Sequence, residues 1–205
     1  MRWPSCSVAW MRPPARTDRL RLFFALWPED AVRQSLAQAA RELRGCPGRA
    51  VPPANFHLTL AFLADVSPER LPALHALGDR LVLPAFTLTL DRWGSFPGPG
   101  VLWLGPSAVP QALVSFEQVL WAELSVLGFR RDHPGFVPHV TLRRRAGRAV
   151  PASAPAAVRW RVGGWALVRS TRDTGASAYT PERWWPTGPN SAGPRDLPAA
   201  GLPDS

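Results

Sequence analysis

Apolar positions recur along this chain with two periods, and the switches between them mark out the elements. RLRLFFALW (19–27) is apolar on both parities and predicts a buried strand. Pro28, Glu29 and Asp30 then open a helix with Val32, Leu36, Ala40 and Leu43 on one face and Gly45 as its stop. NFHLTLAFL (55–63) predicts the next strand. Ser67-Pro68-Glu69 caps a second helix carrying Leu71, Leu74, Leu77 and Leu81. FTLTLDR (86–92) and VLWLG (101–105) predict a hairpin around SFPGPG. A third helix spans 110–127, with Leu113, Phe116, Leu120, Leu124 and Leu127 inward and Gly128 at its end. FVPHVTLRR (136–144) predicts another strand, and 159–170 with 177–185 a closing hairpin. Strands alternate with helices, and hairpins interrupt the alternation. That order predicts an α+β fold with a largely antiparallel sheet, and no Gly-rich phosphate loop follows any strand.

The ends lack this patterning. Residues 1–18 are basic with small residues but have no continuous apolar stretch, so a disordered leader is expected, with Met11 as an alternative start. Residues 187–205 are rich in Pro and Gly and are expected to form a disordered tail, leaving 19–186 as one folded domain. No apolar run approaches the roughly 20 residues of a membrane span.

Hydrophobic residues make up 46% of the 205, enough for a real core. The net charge is +9, which favours anionic partners such as nucleic acid. All 24 basic residues are arginine; a coding bias accounts for that choice, and they are dispersed. Of two cysteines, Cys6 lies in the leader and Cys46 in a Gly/Pro loop, with no metal-binding spacing. A reducing cytoplasm, a monomer and no cofactor are the expectations.

One short repeat carries candidate chemistry. His57-Leu58-Thr59-Leu60 recurs as His139-Val140-Thr141-Leu142, both within predicted strands. Side chains alternate along a strand, so His57 and Thr59 share one face while Phe56, Leu58, Leu60 and Phe62 share the other. His139 and Thr141 stand likewise against Val140 and Leu142. Two such strands facing across a cleft place two imidazoles around one space, above two hydroxyls. That geometry suits in-line displacement at phosphorus. A neutral histidine takes a proton from the attacking water, and a protonated one supplies the leaving oxygen. Threonine hydroxyls can donate to the non-bridging oxygens, and an arginine can stabilise the developing charge. Zinc is the weaker reading, because neither motif has a nearby third ligand. His75 and His133 are expected at the surface or in loops. Trp103, Trp160 and Trp165 are mostly core by expectation, with one or two tryptophans at a cleft rim available to stack a base.

HLTL and HVTL, the opening RLFFAL and the spacing between them resemble the two-histidine phosphoesterases, most closely the RNA 2′,3′-cyclic phosphodiesterase or 2′-5′ RNA ligase family, over about 19–186. The resemblance implies a bilobal fold in which two largely antiparallel sheets form a V-shaped central cleft, with helices on the outer faces. It implies hydrolysis of RNA 2′,3′-cyclic phosphate ends or cyclic nucleotides to 2′-phosphates, without a metal, and reversible 2′-5′ ligation. The first histidine of the family is the proton donor and the second the acceptor, which places these roles on His57 and His139. The family pattern H-x-T-L-x-R puts its arginine at Arg144. Strict alternation instead puts Arg143 and Arg145 beside His139, unless a bulge re-aims the strand. The rival readings are a non-catalytic RNA-binding module and an enzyme for a small nucleotide-derived cyclic phosphate.

Overall fold

A computed structural model describes residues 19–131, 135–146, 150–173 and 176–187. The expected leader, the tail beyond Thr187 and His133 lie outside the described residues. The elements are β1 (Leu20–Leu26), α1 (Asp30–Glu42), β2 (Arg49–Ala50), β3 (Leu58–Val66), α2 (Leu71–Arg80), β4 (Thr87–Leu90), β5 (Arg92–Phe96), β6 (Val101–Gly105), α3 (Gln111–Val126), β7 (Val140–Arg144), β8 (Val158–Arg161), β9 (Gly164–Asp173) and β10 (Ala176–Pro186). Short 3-10 turns at Pro53–Asn55 and Pro68–Arg70 lead into β3 and α2.

The fold is α+β and every strand pair is antiparallel. The main sheet runs β10-β9-β1-β3-β7-β6-β5, with β2 also on β7, while β4 and β8 form a separate ribbon. Its two halves meet at one residue pair, Leu58 opposite Val140. One half is β10-β9-β1-β3 and the other β7-β6-β5 with β2. The halves are therefore not independent sheets. They part immediately beyond that junction, which leaves a cleft between them.

The helices bury their apolar faces against the sheet. Val32, Leu36 and Ala39 of α1 are buried, with Ala39 taking the place expected of Ala40. In α3, Leu113, Phe116, Leu120 and Leu124 face inward. Gly128 follows at φ +79, and the amide of Phe129 closes the helix on the carbonyl of Leu124 at 3.0 Å. The floor of α2 is Gly78, where a Cβ would lie 2.1 Å from the Trp185 ring, so the helix approaches β10 only as glycine. Trp160 and Trp165 are fully buried.

Four local expectations fail for identifiable reasons. Ser67 makes no side-chain cap bond; its carbonyl instead accepts from the Arg70 amide across the 3-10 turn. The 86–92 segment splits at Asp91, whose carboxylate takes the amide and hydroxyl of Ser107 at 2.6 and 2.7 Å. Only β5 continues into the hairpin with β6, while β4 turns to pair with β8. The 159–170 segment breaks likewise before Gly164, so the closing hairpin is β9 with β10. His75 is half-buried on α2, its imidazole disfavoured as a cation first by burial and then by Arg183. No helix among the described residues is long and apolar enough to cross a membrane.

Candidate active site

Both motif histidines sit one residue ahead of their strands, not inside them. Each is nonetheless fixed. The Nδ1–H of His57 donates to the carbonyl of Asn55 and that of His139 to the carbonyl of Val137, both at 2.7 Å. Donation from Nδ1 leaves the Nε2 lone pair of each neutral ring for the cleft. The Asn55 side chain donates to the carbonyl of Ser177 at 2.7 Å and so pins the turn carrying His57 to β10. Arg33 donates to the carbonyls of Pro53 and Ala54 at 3.1 Å and pins the same turn to α1.

The Leu58–Val140 junction explains why the motifs face one another. Antiparallel direction turns His57 toward Thr141 and His139 toward Thr59. Leu58 and Val140 are fully buried on the helix side, so their four motif neighbours lie on the opposite face. His57, Thr59, His139, Thr141 and Arg144 all line one cleft of about 600 Å³.

A bulge recurs at the same place in both motifs. Ala25 pairs with Thr59 and Phe24 with Ala61, which skips Leu60; Trp103 pairs with Thr141 and Leu102 with Arg143, which skips Leu142. The extra residue reverses the alternation beyond it. Phe62, expected on the core face, therefore lines the cleft and is 37% exposed. The same reversal brings Arg144 into the cleft. Arg143 turns outward to donate to the carbonyls of Pro47 and Gly48 at 3.2 and 2.6 Å, and Arg145 is exposed at φ +53. Phe62 and Arg144 thus occupy equivalent positions of two related half-sites.

The histidines stand in apolar surroundings. Phe23 and Tyr179 lie 4.8 and 5.0 Å from the His57 ring, and Trp27 stacks on it at 5.9 Å. Phe96 meets His139 edge-on at 4.9 Å, with Trp103 at 5.8 Å. Burial pushes the His57 pKa down from 6.5 to about 4, against the bond to Asn55, and the charges of Arg144 and His139 lower it further. His139 is lowered by burial and by Arg144, against its bond to Val137. Both rings thus favour the neutral form. A bound phosphate anion opposes that effect on both.

Sequence reasoning missed Phe23, Trp27 and Tyr179 around His57, and Glu117 with Arg131 farther along the cleft. The unbroken apolar run of β1 signalled a strand covered on both faces, but not what covers it. Among the described residues, no three His, Cys, Asp or Glu side chains stand together as a metal site.

A sequence model of the 2′-5′ RNA ligase superfamily matches residues 28–174. The chain belongs to that superfamily. A protein named RNA 2′,3′-cyclic phosphodiesterase from Escherichia coli K12 is 36% identical over 168 residues, 80% of this chain and 95% of that protein. A protein of the same name from Thermus thermophilus is 36% identical over 176 residues, 78% of this chain and 87% of that protein. Among solved structures, E. coli LigT complexed with 3′-AMP superposes with a TM-score of 0.74 at 34% identity, covering 82% of this chain and 98% of that one. The bilobal phosphoesterase fold expected from HLTL and HVTL is the fold these structures share with this chain.

Proposed function

We propose that the chain hydrolyses RNA 2′,3′-cyclic phosphate ends to 2′-phosphomonoesters by two-histidine acid–base chemistry that calls for no metal. The observation that carries this reading is the paired site: two imidazoles, each tied through Nδ1 to a backbone carbonyl, in one cleft with two threonines and Arg144. The names of the E. coli and Thermus relatives support it.

In this mechanism His139 takes a proton from water as the water attacks phosphorus. His57 gives its proton to the departing 3′ oxygen, which leaves the phosphate on the 2′ oxygen. Thr59 and Thr141 donate to the non-bridging oxygens, and Arg144 stabilises the negative charge that develops on them. A 5′-hydroxyl in place of water forms a 2′-5′ linkage by the same path, which is reversible. We infer a cytoplasmic location, in keeping with its two cysteines and lack of a disulfide framework.

One observation favours a second assignment of roles. Burial holds His57 in its neutral form, with its pKa lowered to about 4, which suits a base better than an acid. For the first assignment to operate, the charge of the bound substrate must raise the His57 pKa so that it takes a proton from solvent before the leaving step.

The test is turnover of a nucleoside 2′,3′-cyclic phosphate in excess EDTA, with the product position read by 31P NMR. Formation of the 2′-phosphate is expected. Loss of turnover on chelation defeats the metal-free reading, and no turnover under any condition leaves an RNA-binding module.

A further inference from the structure

The cleft extends beyond the histidines to a pair of charges that the mechanism does not use. Glu117 of α3 is 3% exposed and is the one buried charged side chain among the described residues. Its carboxylate accepts from Arg131 at 2.9 Å. Burial raises its pKa, and the Arg131 charge opposes that rise. The Arg131 guanidinium also lies 5.3 Å from the Trp121 ring. Glu117, Trp121 and Arg131 all line the same cleft as His57, His139 and Arg144.

A buried ion pair is weak evidence for stability, since desolvation offsets its attraction. A carboxylate in the wall of a cleft that receives phosphate would also repel its substrate if left unpaired. Here it is covered by a guanidinium that is itself 30% exposed. A guanidinium has five N–H donors in a planar fork. One nitrogen is engaged by Glu117 and the group lies over Trp121, so it is held in place while remaining partly exposed. That is how a protein presents arginine to a phosphodiester. Phe62 and Phe136 line the same cleft, apolar wall suited to a sugar or base.

We propose that Arg131, held by Glu117, is a second anion subsite that binds the internucleotide phosphate next to the cyclic end. This rests on the proposed hydrolysis and adds that the preferred substrate is an oligoribonucleotide, not a mononucleotide.

The test compares a nucleoside 2′,3′-cyclic phosphate, which has no second phosphate, with a trinucleotide ending in one. Wild type is expected to favour the trinucleotide. Arg131→Ala should lower the ratio of kcat/KM for the trinucleotide to that for the mononucleoside about tenfold or more, through the KM of the trinucleotide. The salt dependence of the trinucleotide reaction should become shallower by about 0.7 in log–log slope. Arg131→Lys should recover part of the preference, and Glu117→Gln should lose part of it. These two milder variants read the same ratio if Arg131→Ala does not fold. Equal losses on both substrates, or no change in the ratio, overturn the subsite. A wild type that hydrolyses neither substrate overturns the activity reading itself, and the subsite with it.

Discussion

The apolar setting of His57 should make the folded protein sensitive to mild acid. The pKa falls from 6.5 in the unfolded chain to about 4 in the folded one. Between those values the unfolded chain binds a proton that the folded chain does not, so falling pH favours unfolding. The penalty is absent above 6.5, grows as pH falls and is complete near 4. At about 1.36 kcal/mol per pKa unit, His57 alone removes about 3 kcal/mol of stability across that window. His57→Gln abolishes the titration while keeping a polar side chain of similar size. Urea unfolding at steps from pH 7 to pH 4 should show the variant losing about 3 kcal/mol less than wild type over the range. Carboxylate titrations are common to both proteins and cancel in the comparison. Parallel stability curves would refute the burial argument, and so would an NMR titration of the His57 ring with a midpoint near the ordinary imidazole value.

The remaining expectations concern catalysis. kcat/KM reports the free enzyme, whose histidines are both lowered, so its pH optimum should fall on the acid side of 6.5; an optimum well above that value contradicts the electrostatics of the cleft. Arg144→Ala should reduce kcat by about 10²–10³, the usual loss for a donor to developing oxyanion charge, while Arg145→Ala, exposed beyond the bulge, should change little. Equal small effects in a steady-state assay would mean that neither arginine meets the phosphate. An activated leaving group should partly rescue His57→Ala but not His139→Ala, since only the acid becomes dispensable; rescue of His139→Ala instead would establish the reversed roles.

Much of the site was legible because its chemistry is local. His57 and Thr59 share a face by strand geometry alone, and the repeated H-x-T placed a second such face at His139 and Thr141. Arg144 was legible only through the family pattern. Alternation pointed to Arg143 and Arg145, and the bulge at Leu142 that decides between them has no signature in VTLRRR. The same bulge at Leu60 misled the placement of Phe62. A bulge is set by how a strand fits its neighbour, and the neighbours here are β6 and β1, not adjacent in sequence to either motif.

By itself the sequence determined the helices, the positions of most strands, the apolar faces and the two half-sites, since each depends on propensities and periods within about a dozen residues. Tertiary structure decided which strands pair, and with that the single Leu58–Val140 junction that turns two half-sites into one cleft. It also brought Tyr179 from β10 against His57 and Arg131 onto Glu117. These contacts join segments far apart in the chain. They are set by the packing of whole sheets and helices, whose energetics no local pattern encodes, and they control the acidity of the histidines and the extent of the binding cleft.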